Sequence, residues 1–417
     1  MRFRDFHQNI KIRIIESFIS RFVGSMIFPF MAIYLSHHFG IKLAGILLLI
    51  NVLVGICLNF VGGYFADQFG RRKIMLFAEL LRFLAFFTMM ICNSPWFTSA
   101  VITFFMMTVN SVCWALAGPA NQAMLIDVST PDQRKLMYSI MYWANNLSIA
   151  IGGIIGAFLY KDYLFELFIV LSVVAAVVVM LIALFIDESY KPDKSKHRPS
   201  EHVLRIFSSY KRVLTDRLFV WFVIAGVLVM SMEFQLTNYI GIRLSDEMGT
   251  QQLLHWEIDG VKMMGFLRSE NTILVALMAL FVAKVTGRFK DRSTLVVSCF
   301  FFTLGYAVIA YSNNIWLLFI MMIILTIGEV FRVPVEQSYM AAIPPDDARS
   351  SYMAFNGLKF NLGMLISSLT VTISAYVSSL VMAIILTMIG LLGTTIYFLI
   401  TPQLDKRKAE AELRQAS

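Results

Sequence analysis

The sequence predicts an all-α polytopic membrane protein, with 12 transmembrane helices arranged as two pseudo-symmetric six-helix bundles around a central cavity. Three observations predict this class. Of the 417 residues, 58% are hydrophobic and 15% are charged, whereas soluble domains usually carry about 25% charge. Apolar stretches of roughly 20 residues, the length that crosses a bilayer as a helix, recur along the whole chain. Matching segments in the two halves indicate a duplicated unit.

The apolar stretches, numbered here as spans 1 to 12, give the predicted helices. They cover residues 14–36, 42–66, 74–93, 96–117, 137–160, 163–186, 218–244, 269–287, 293–312, 315–340, 351–376 and 379–401. Span 1 contains Glu16 and Arg21, so it predicts a helix rather than a cleaved signal peptide. The only long polar stretch lies between spans 6 and 7. The predicted domains are therefore an N-terminal bundle (1–187), a cytoplasmic linker (188–217), a C-terminal bundle (218–401) and a cytoplasmic tail (402–417).

The distribution of positive charge predicts the orientation. Most of the 35 Lys and Arg residues lie at the termini or in the loops that share a side with them. Because basic loops stay on the inner side of a membrane, we expect both termini in the cytoplasm and the protein in the cell membrane. Basic loops against an anionic leaflet also account for the net charge of +8 without a nucleic-acid partner.

The two halves share a recognisable segment. PANQAMLIDVSTPDQR (119–134) aligns with PVEQSYMAAIPPDDAR (334–349) without a gap. The identical pairs are Pro119 with Pro334, Gln122 with Gln337, Asp132 with Asp347 and Arg134 with Arg349. Both segments follow corresponding spans, which supports two parallel repeats with substrate held between them near the middle of the membrane.

GYFADQFGRRK (63–73) resembles the loop signature G-x-x-x-D-x-x-G-[RK]-[RK] of the major facilitator superfamily, and the layout of six plus six helices agrees with it. The resemblance implies a gate that locks the cytoplasmic side of a transporter. In this gate Asp67 would face a helix N-terminus of the other half, and Arg71 would pair with Asp127. The implied gate residues are Gly63, Asp67, Gly70, Arg71, Arg72 and Asp127. The alternative is a solvated turn with basic anchors.

Span 5 resembles the drug:proton antiporter branch of the superfamily, whose motif there is G-x-x-x-G-P-x-x-G-G. In SIMYWANNLSIAIGGIIGA (139–157) a glycine replaces the motif proline and small residues occupy all five places, which predicts close helix packing. These residues are Ser148, Gly152, Gly153, Gly156 and Ala157. The long outer loop and IGEVFRVP most resemble the LmrP-type multidrug transporters. That branch has working carboxylates in helices 5, 7 and 10, where this chain has Met141, Glu233 and Glu329.

The charges inside span 10 point to coupling chemistry. Glu329, Arg332 and Glu336 lie at i, i+3 and i+7, on one face of a helix whose neighbours are apolar. Charges at this depth cost several kcal/mol, so they pair or face a cavity. Every His lies in a terminus or loop, which favours carboxylates, with Glu233 in span 7 as the second acid. Two alternatives stay open: Arg332 and Glu336 form a structural pair, or Lys359 pairs with Glu233 and Glu329 across the bundle.

Polar and aromatic residues within the spans predict a cavity of mixed character, suited to amphiphilic or aromatic cations. The same residue types also occur as ordinary packing. The candidates are Arg21, Tyr142, Trp143, Asn145, Asn146, Gln235, Asn238 and Lys359.

We therefore expect proton-coupled efflux of small hydrophobic or cationic compounds by alternating access. The sequence has no P-loop or hydrolytic constellation, so we expect neither an enzyme nor a primary pump, and no metal or cofactor besides the proton gradient. The expected partners are protons, a small-molecule substrate and lipid, with the chain as a monomer. The alternatives are a transporter of a nutrient or lipid-like solute, and a receptor or scaffold without flux.

Overall fold

The computed structural model describes residues 3–189, 211, 213–286, 289–345 and 349–416. The chain folds as two compact units, Met1–Val203 and Leu204–Ser417, whose boundary falls inside the predicted linker. Helices of the first unit are α1 (Gln8–Ile27), α2 (Met31–Phe39), α3 (Ile41–Phe69), α4 (Arg71–Ile91), α5 (Ala100–Asp127), α6 (Pro131–Leu159) and α7 (Leu164–Phe185). Helices of the second unit are α8 (Arg217–Glu233), α9 (Tyr239–Glu247), α10 (Gly260–Thr286), α11 (Asp291–Ile309), α12 (Ile315–Ala342), α13 (Arg349–Ser374) and α14 (Ser379–Ala416).

Two short antiparallel hairpins are the strands of the described structure. One pairs β1 (Asn93–Ser94) with β2 (Phe97–Thr98) between α4 and α5, and the other pairs β3 (Gln251–Leu253) with β4 (Trp256–Ile258) between α9 and α10. Each strand has only two or three residues, so the architecture is helical apart from these two connections.

The helices match the predicted spans. Within the described residues, nine helical segments are long and apolar enough to cross a bilayer. The remaining predicted spans, 7, 8 and 11, are also helical, as α8 with α9, α10 and α13. Large apolar side chains face outward, such as Leu184 at 73% and Leu399 at 64% exposed. Such surfaces suit lipid rather than water, which confirms the all-helical polytopic class.

Span 7 differs from its prediction as one helix over 218–244. Helix α8 ends at Glu233 and α9 begins at Tyr239, with turns between them. The amide of Ile240 donates to the carbonyl of Gln235 (2.8 Å), which holds the turn. A break is tolerated at membrane depth only where other groups satisfy the freed backbone and side chains. Here the side chains of Gln235 and Asn238 bind α13, as described below.

Corresponding helices pack in the same way within each unit. In the first unit α1 packs on α6 and α7, α4 on α5 and α7, and α3 on α5. In the second unit α8 packs on α13 and α14, α11 on α12 and α14, and α10 on α12. The predicted duplication therefore extends from the matching segments to the helix packing.

The small residues of span 5 form a close seam between α6 and α1. A Cβ atom on Gly156 would lie 2.6 Å from Cα of Met26, and one on Gly152 would lie 2.5 Å from the carbonyl oxygen of Phe22. Ser148 donates its hydroxyl to the carbonyl of Phe18 (3.1 Å), and Gly153 is buried. Contacts this close need residues without bulky side chains.

Helix α14 continues past the predicted end of span 12 at residue 401, through the segment predicted as a tail. Two of its basic residues bind the starts of other helices: Arg407 pairs with Asp216 (2.7 Å) and Lys408 with Asp291 (2.7 Å). The first unit has a related tie, because Glu188, just after α7, accepts hydrogen bonds from the backbone amides of Arg71 and Arg72.

Candidate functional site

Glu336 is the centre of a buried polar cluster in the second unit. Its carboxylate accepts from Arg332 Nη1 (2.8 Å) and Tyr397 Oη (3.0 Å), and from Lys359 Nζ (3.3 Å) on α13. Arg332 is 4% exposed and its guanidinium lies 5.0 Å from the ring centroid of Phe302. The pair that the sequence left open is therefore formed, and a second cation completes it. Both carboxylate oxygens of Glu336 are therefore hydrogen-bonded within the unit.

Glu329 has different surroundings although it lies two turns away on the same helix. Asn271 on α10 donates through Nδ2 to its Oε2 (2.8 Å) and to Oγ1 of Thr326 (3.0 Å). Glu329 is half-buried, and the described residues contain no salt bridge to it. Arg332 reaches Glu336 instead, so Glu329 is held by neutral groups alone.

Glu233 is the last residue of α8, directly before the break, and its side chain is exposed on the surface of its unit. Tyr306 of α11 donates its hydroxyl to the carbonyl oxygen of Glu233 (3.5 Å). Among the described residues Glu233 has no salt bridge either. Neither of the two acids proposed from sequence therefore has a cation bound to it within the described part of the chain.

Two residues predicted to line a substrate cavity bind side chains of their own unit. Lys359 pairs with Glu336 rather than with Glu329 or Glu233, and its Nζ lies 5.2 Å from the ring centroid of Phe222. Gln235 is fully buried and accepts a hydrogen bond from Thr370 Oγ1 (2.9 Å). A polar residue inside a span can equally well serve the packing of its own bundle, so a cavity role for Lys359 and Gln235 stays a prediction.

Asn238 also binds α13, through a hydrogen bond from its Nδ2 to Ser367 Oγ (2.9 Å). It is half-buried. Together with Gln235 it anchors the break of span 7, so the polar stretch EFQLTN (233–238) supports an interrupted helix.

The sequence analysis overlooked Glu270 and Asn271 on α10. Oε2 of Glu270 is buried without a hydrogen-bond partner in the described structure, and Asn271 is the partner of Glu329. The polar run RSENT (268–272) at the start of span 8 was the available signal. Because this run lies at the edge of the apolar stretch, it was not predicted to be a site.

The first unit contains a polar cavity of about 220 Å³. Two of the predicted residues, Arg21 and Asn145, line it. Four further charged residues, which the sequence did not point to as a site, line it as well: Arg13, Glu16, Glu79 and Arg82. Glu16 pairs with Arg13 on its own helix, and Glu79 accepts from Arg82 Nη1 (3.0 Å).

Three other residues predicted for the substrate cavity lie elsewhere on α6. Tyr142 and Trp143 are 53% and 63% exposed on the surface of the unit. Asn146 donates through Nδ2 to the carbonyl of Tyr142 (2.8 Å), a bond within its own helix. Of the span 5 candidates, Asn145 is the one that reaches the cavity.

One ion pair that the signature predicts, between Arg71 and Asp127, is present, and the gate itself stays a prediction. Arg71 Nη1 pairs with Asp127, which also accepts from Ser189 Oγ (3.2 Å). Gly70 has φ of +94°, a conformation that glycine adopts without strain, and it connects α3 to α4. Arg72 donates through Nη2 to the carbonyl of Ala183 (2.6 Å). The side-chain surroundings of Gly63 and Asp67 lie outside the described residues.

The described residues contain no group of three metal-binding side chains. The arrangement therefore offers two kinds of chemistry: carboxylates that can exchange a proton or a cation in the second unit, and a cationic cavity in the first.

Comparisons with known proteins agree with this architecture. The chain is 29% identical over 419 residues to a Na(+), Li(+), K(+)/H(+) antiporter of Planococcus maritimus, covering 98% of this chain and 99% of that protein. It is 22% identical to the multidrug resistance protein MdtH of Salmonella arizonae, covering 81% and 79%. Its fold is similar to a crystal structure of the peptide transporter POT in complex with sulfate, with a TM-score of 0.75, 13% identity, and 98% and 97% coverage.

The family model described as Major Facilitator Superfamily matches residues 15–268 and 248–417, and so covers both units. Together with the bundle of membrane-spanning helices, this match defines a multi-pass transporter rather than an enzyme. The resemblance that the loop signature suggested is confirmed: the chain belongs to the Major Facilitator Superfamily.

Proposed function

We propose that this transporter is a proton-coupled antiporter that exports small cationic or hydrophobic compounds from the cell by alternating access. One observation carries the proposal: no salt bridge to Glu233 or Glu329 is found among the described residues, and the hydrogen bond to the Glu329 carboxylate comes from the neutral side chain of Asn271. A carboxylate without a fixed counter-ion can bind a proton or a cation in turn. Such alternate binding of a proton and a cation is one way to couple proton entry to cation export.

The surroundings of Glu329 support this role. Asn271, which also donates to Thr326, binds the Glu329 carboxylate without neutralising it. Arg332 contributes long-range attraction but is bound to Glu336. Charged groups at this depth in a membrane protein usually belong to a transport pathway when they are not paired. The antiporter and multidrug relatives support the same class. Under this proposal the protein is a monomer in the cell membrane with both termini in the cytoplasm.

A second candidate is exchange of alkali cations for protons. It is favoured by the relative from Planococcus maritimus, which aligns along almost the whole chain. Alkali cations prefer oxygen ligands, as hard cations do in general, and Glu329 with Thr326 supplies them. The two candidates share the carboxylates and differ in the cation that these bind.

Proton flux in vesicles tests the proposal and separates the candidates. Purified protein is reconstituted into proteoliposomes, a pH gradient is imposed, and its dissipation is followed after addition of tetraphenylphosphonium, sodium, potassium or lithium. We expect dissipation by the organic cation. Dissipation by alkali ions alone would replace the main candidate with the second, and no response to any cation would favour a nutrient or lipid carrier, or a receptor.

The Glu329→Gln substitution tests the residue. The amide keeps the shape of the side chain but cannot exchange a proton, so uphill transport should fall to the level of empty vesicles while the protein stays folded. Glu257→Gln in the exposed β4 strand is the matched control and should transport normally. Wild-type accumulation by the Glu329→Gln variant would remove Glu329 from the mechanism.

A further inference from the structure

The cavity of the first unit has an excess of positive charge. Three arginines and two glutamates line it, and its other lining residues carry no formal charge. The two carboxylates are already used, because each binds an arginine three residues along its own helix: Glu16 binds Arg13, and Glu79 binds Arg82. These four side chains are all less than 9% exposed. The described residues contain no salt bridge to the third arginine, Arg21, so the lining has an excess of one positive charge.

The geometry around Arg21 shows how this charge is held. Its guanidinium lies 5.6 Å from the ring centroid of Trp114, and the guanidinium of Arg82 lies 5.4 Å from the same ring. Nε of Arg21 is buried without a hydrogen-bond partner among the described residues. Two guanidinium groups of like charge thus lie near the same indole ring. Stacking on a ring stabilises a guanidinium less than a bound counter-ion does.

The remaining lining groups suit a small hydrated or organic anion. Ser17, Gln122 and Asn145 supply hydroxyl and amide donors. Asn121 has a buried Oδ1 without a partner, and a water that hydrates the anion can donate to it. A volume of about 220 Å³ holds about seven water molecules at the volume each occupies in the liquid. The space accepts a halide with its waters or the carboxylate end of an organic molecule.

We propose that the cavity of the first unit is a binding site for a single negative charge, with Arg21 as the residue that binds it. The ligand is an inorganic monovalent anion or a carboxylate group. Guanidinium offers parallel N–H donors that match a carboxylate, and a halide accepts from the same donors. This site is separate from the carboxylates of the second unit. Its occupancy does not depend on which cation the transporter exports.

Thermal unfolding tests the proposal without any transport measurement. The full-length protein in lipid nanodiscs is titrated with chloride or with acetate at constant ionic strength, with sulfate, which is neither monovalent nor a carboxylate, as the balancing anion. A ligand that binds only the folded state raises the unfolding temperature in a saturable way. We expect a saturable rise for wild type and its loss for Arg21→Gln. A response to chloride alone identifies an inorganic anion, and a response to acetate identifies a carboxylate site.

Arg292→Gln is the matched control, since Arg292 also stacks on a ring, that of Phe398 (4.8 Å), but lies in the second unit. Its titration should equal that of wild type. Arg21→Lys keeps the charge and should keep part of the response, which covers the case in which Arg21→Gln folds poorly. An equal response in wild type and Arg21→Gln, or no saturable response in wild type, overturns the proposal. Failure of proton-coupled flux leaves it unaffected.

Discussion

Two glutamates on one helix illustrate how residue chemistry depends on tertiary partners. Glu329 and Glu336 lie seven residues apart on α12, and Arg332 stands between them. Helical spacing lets Arg332 reach either acid. The structure pairs it with Glu336, where Lys359 and Tyr397 also bind. One acid is therefore bound within the bundle, and the other is the one to which the proposed function assigns exchange.

Because the two acids have different partners, we expect a glutamine substitution to affect protein stability differently at the two positions. Glu336→Gln removes the carboxylate and leaves two cations without a counter-ion, on side chains only 5% and 12% exposed, those of Arg332 and Lys359. Removing one partner of a buried ion pair costs about 3–5 kcal/mol. We expect a marked fall in unfolding temperature, measured in nanodiscs, whereas Glu329→Gln should unfold close to wild type. Equal stability of the two variants would contradict this assignment.

The sequence predicted which charges lie inside the membrane but not all of their partners. The spacing of Glu329, Arg332 and Glu336 was visible, because it needs only the helical repeat. The role of Lys359 was not, since it depends on how α13 packs against α12 and α14. Asn271 was missed for the same reason: a neutral amide gains meaning only when the fold brings it to a carboxylate.

At the scale of helices, small residues serve two purposes. In the first unit Gly152 and Gly156 let α6 approach the backbone of α1. In the second unit Gly226 of α8 leaves room for a side chain instead: a Cβ atom there would lie 2.5 Å from Cδ of Lys359. Corresponding helix pairs thus differ between the units. In the first unit α1 and α6 approach each other closely, and in the second unit α8 leaves space for the Lys359 side chain of α13.

Alanine substitutions distinguish a seam from an ordinary helix position. Gly156→Ala puts a methyl group against the backbone of Met26, so we expect it to destabilise the protein and lower its expression. Gly55→Ala on α3 is the control, because nothing lies within 4 Å of its Cβ position. There the gain in helix propensity, about 1 kcal/mol, should leave stability unchanged or raised. Both proteins are compared by thermal unfolding. If the two variants tolerate the change equally, the seam is not tightly packed.

The break in span 7 shows the limit of hydropathy as a guide to elements. EFQLTN (233–238) has no proline or glycine, so local sequence gave no reason to end a helix there. The break is held by hydrogen bonds between Gln235 and Thr370 and between Asn238 and Ser367. These bonds join residues more than 100 positions apart, and no local pattern contains them.

At the scale of the whole molecule, the two units share their helix packing and differ in their charge. The first unit encloses three arginines with two glutamates. In the second, Glu233, Glu329 and Glu336 accompany Arg332 and Lys359, an excess of one negative charge. The matching segments 119–134 and 334–349 lie at the ends of the helices rather than at their centres. The repeat therefore predicted the architecture, whereas the chemistry lies in residues that the halves do not share.

The tie at the predicted cytoplasmic end provides a test of the complete transport cycle. Arg71 pairs with Asp127, and the side chains of the two residues are 11% and 27% exposed. If alternating access requires this end to open and close, the pair should stabilise one of the two states. A loss of about 1.4 kcal/mol shifts such an equilibrium about tenfold. Asp127→Asn should therefore slow substrate-dependent proton flux in proteoliposomes by up to that factor, without reducing the amount of folded protein.

The double variant Arg71→Asp with Asp127→Arg should recover part of the rate, because it restores the pair in reverse. Asp162→Asn, in the exposed turn between α6 and α7, is the control and should transport at the wild-type rate. Wild-type flux in Asp127→Asn, or no recovery in the double variant, would show that this ion pair does not control the cycle.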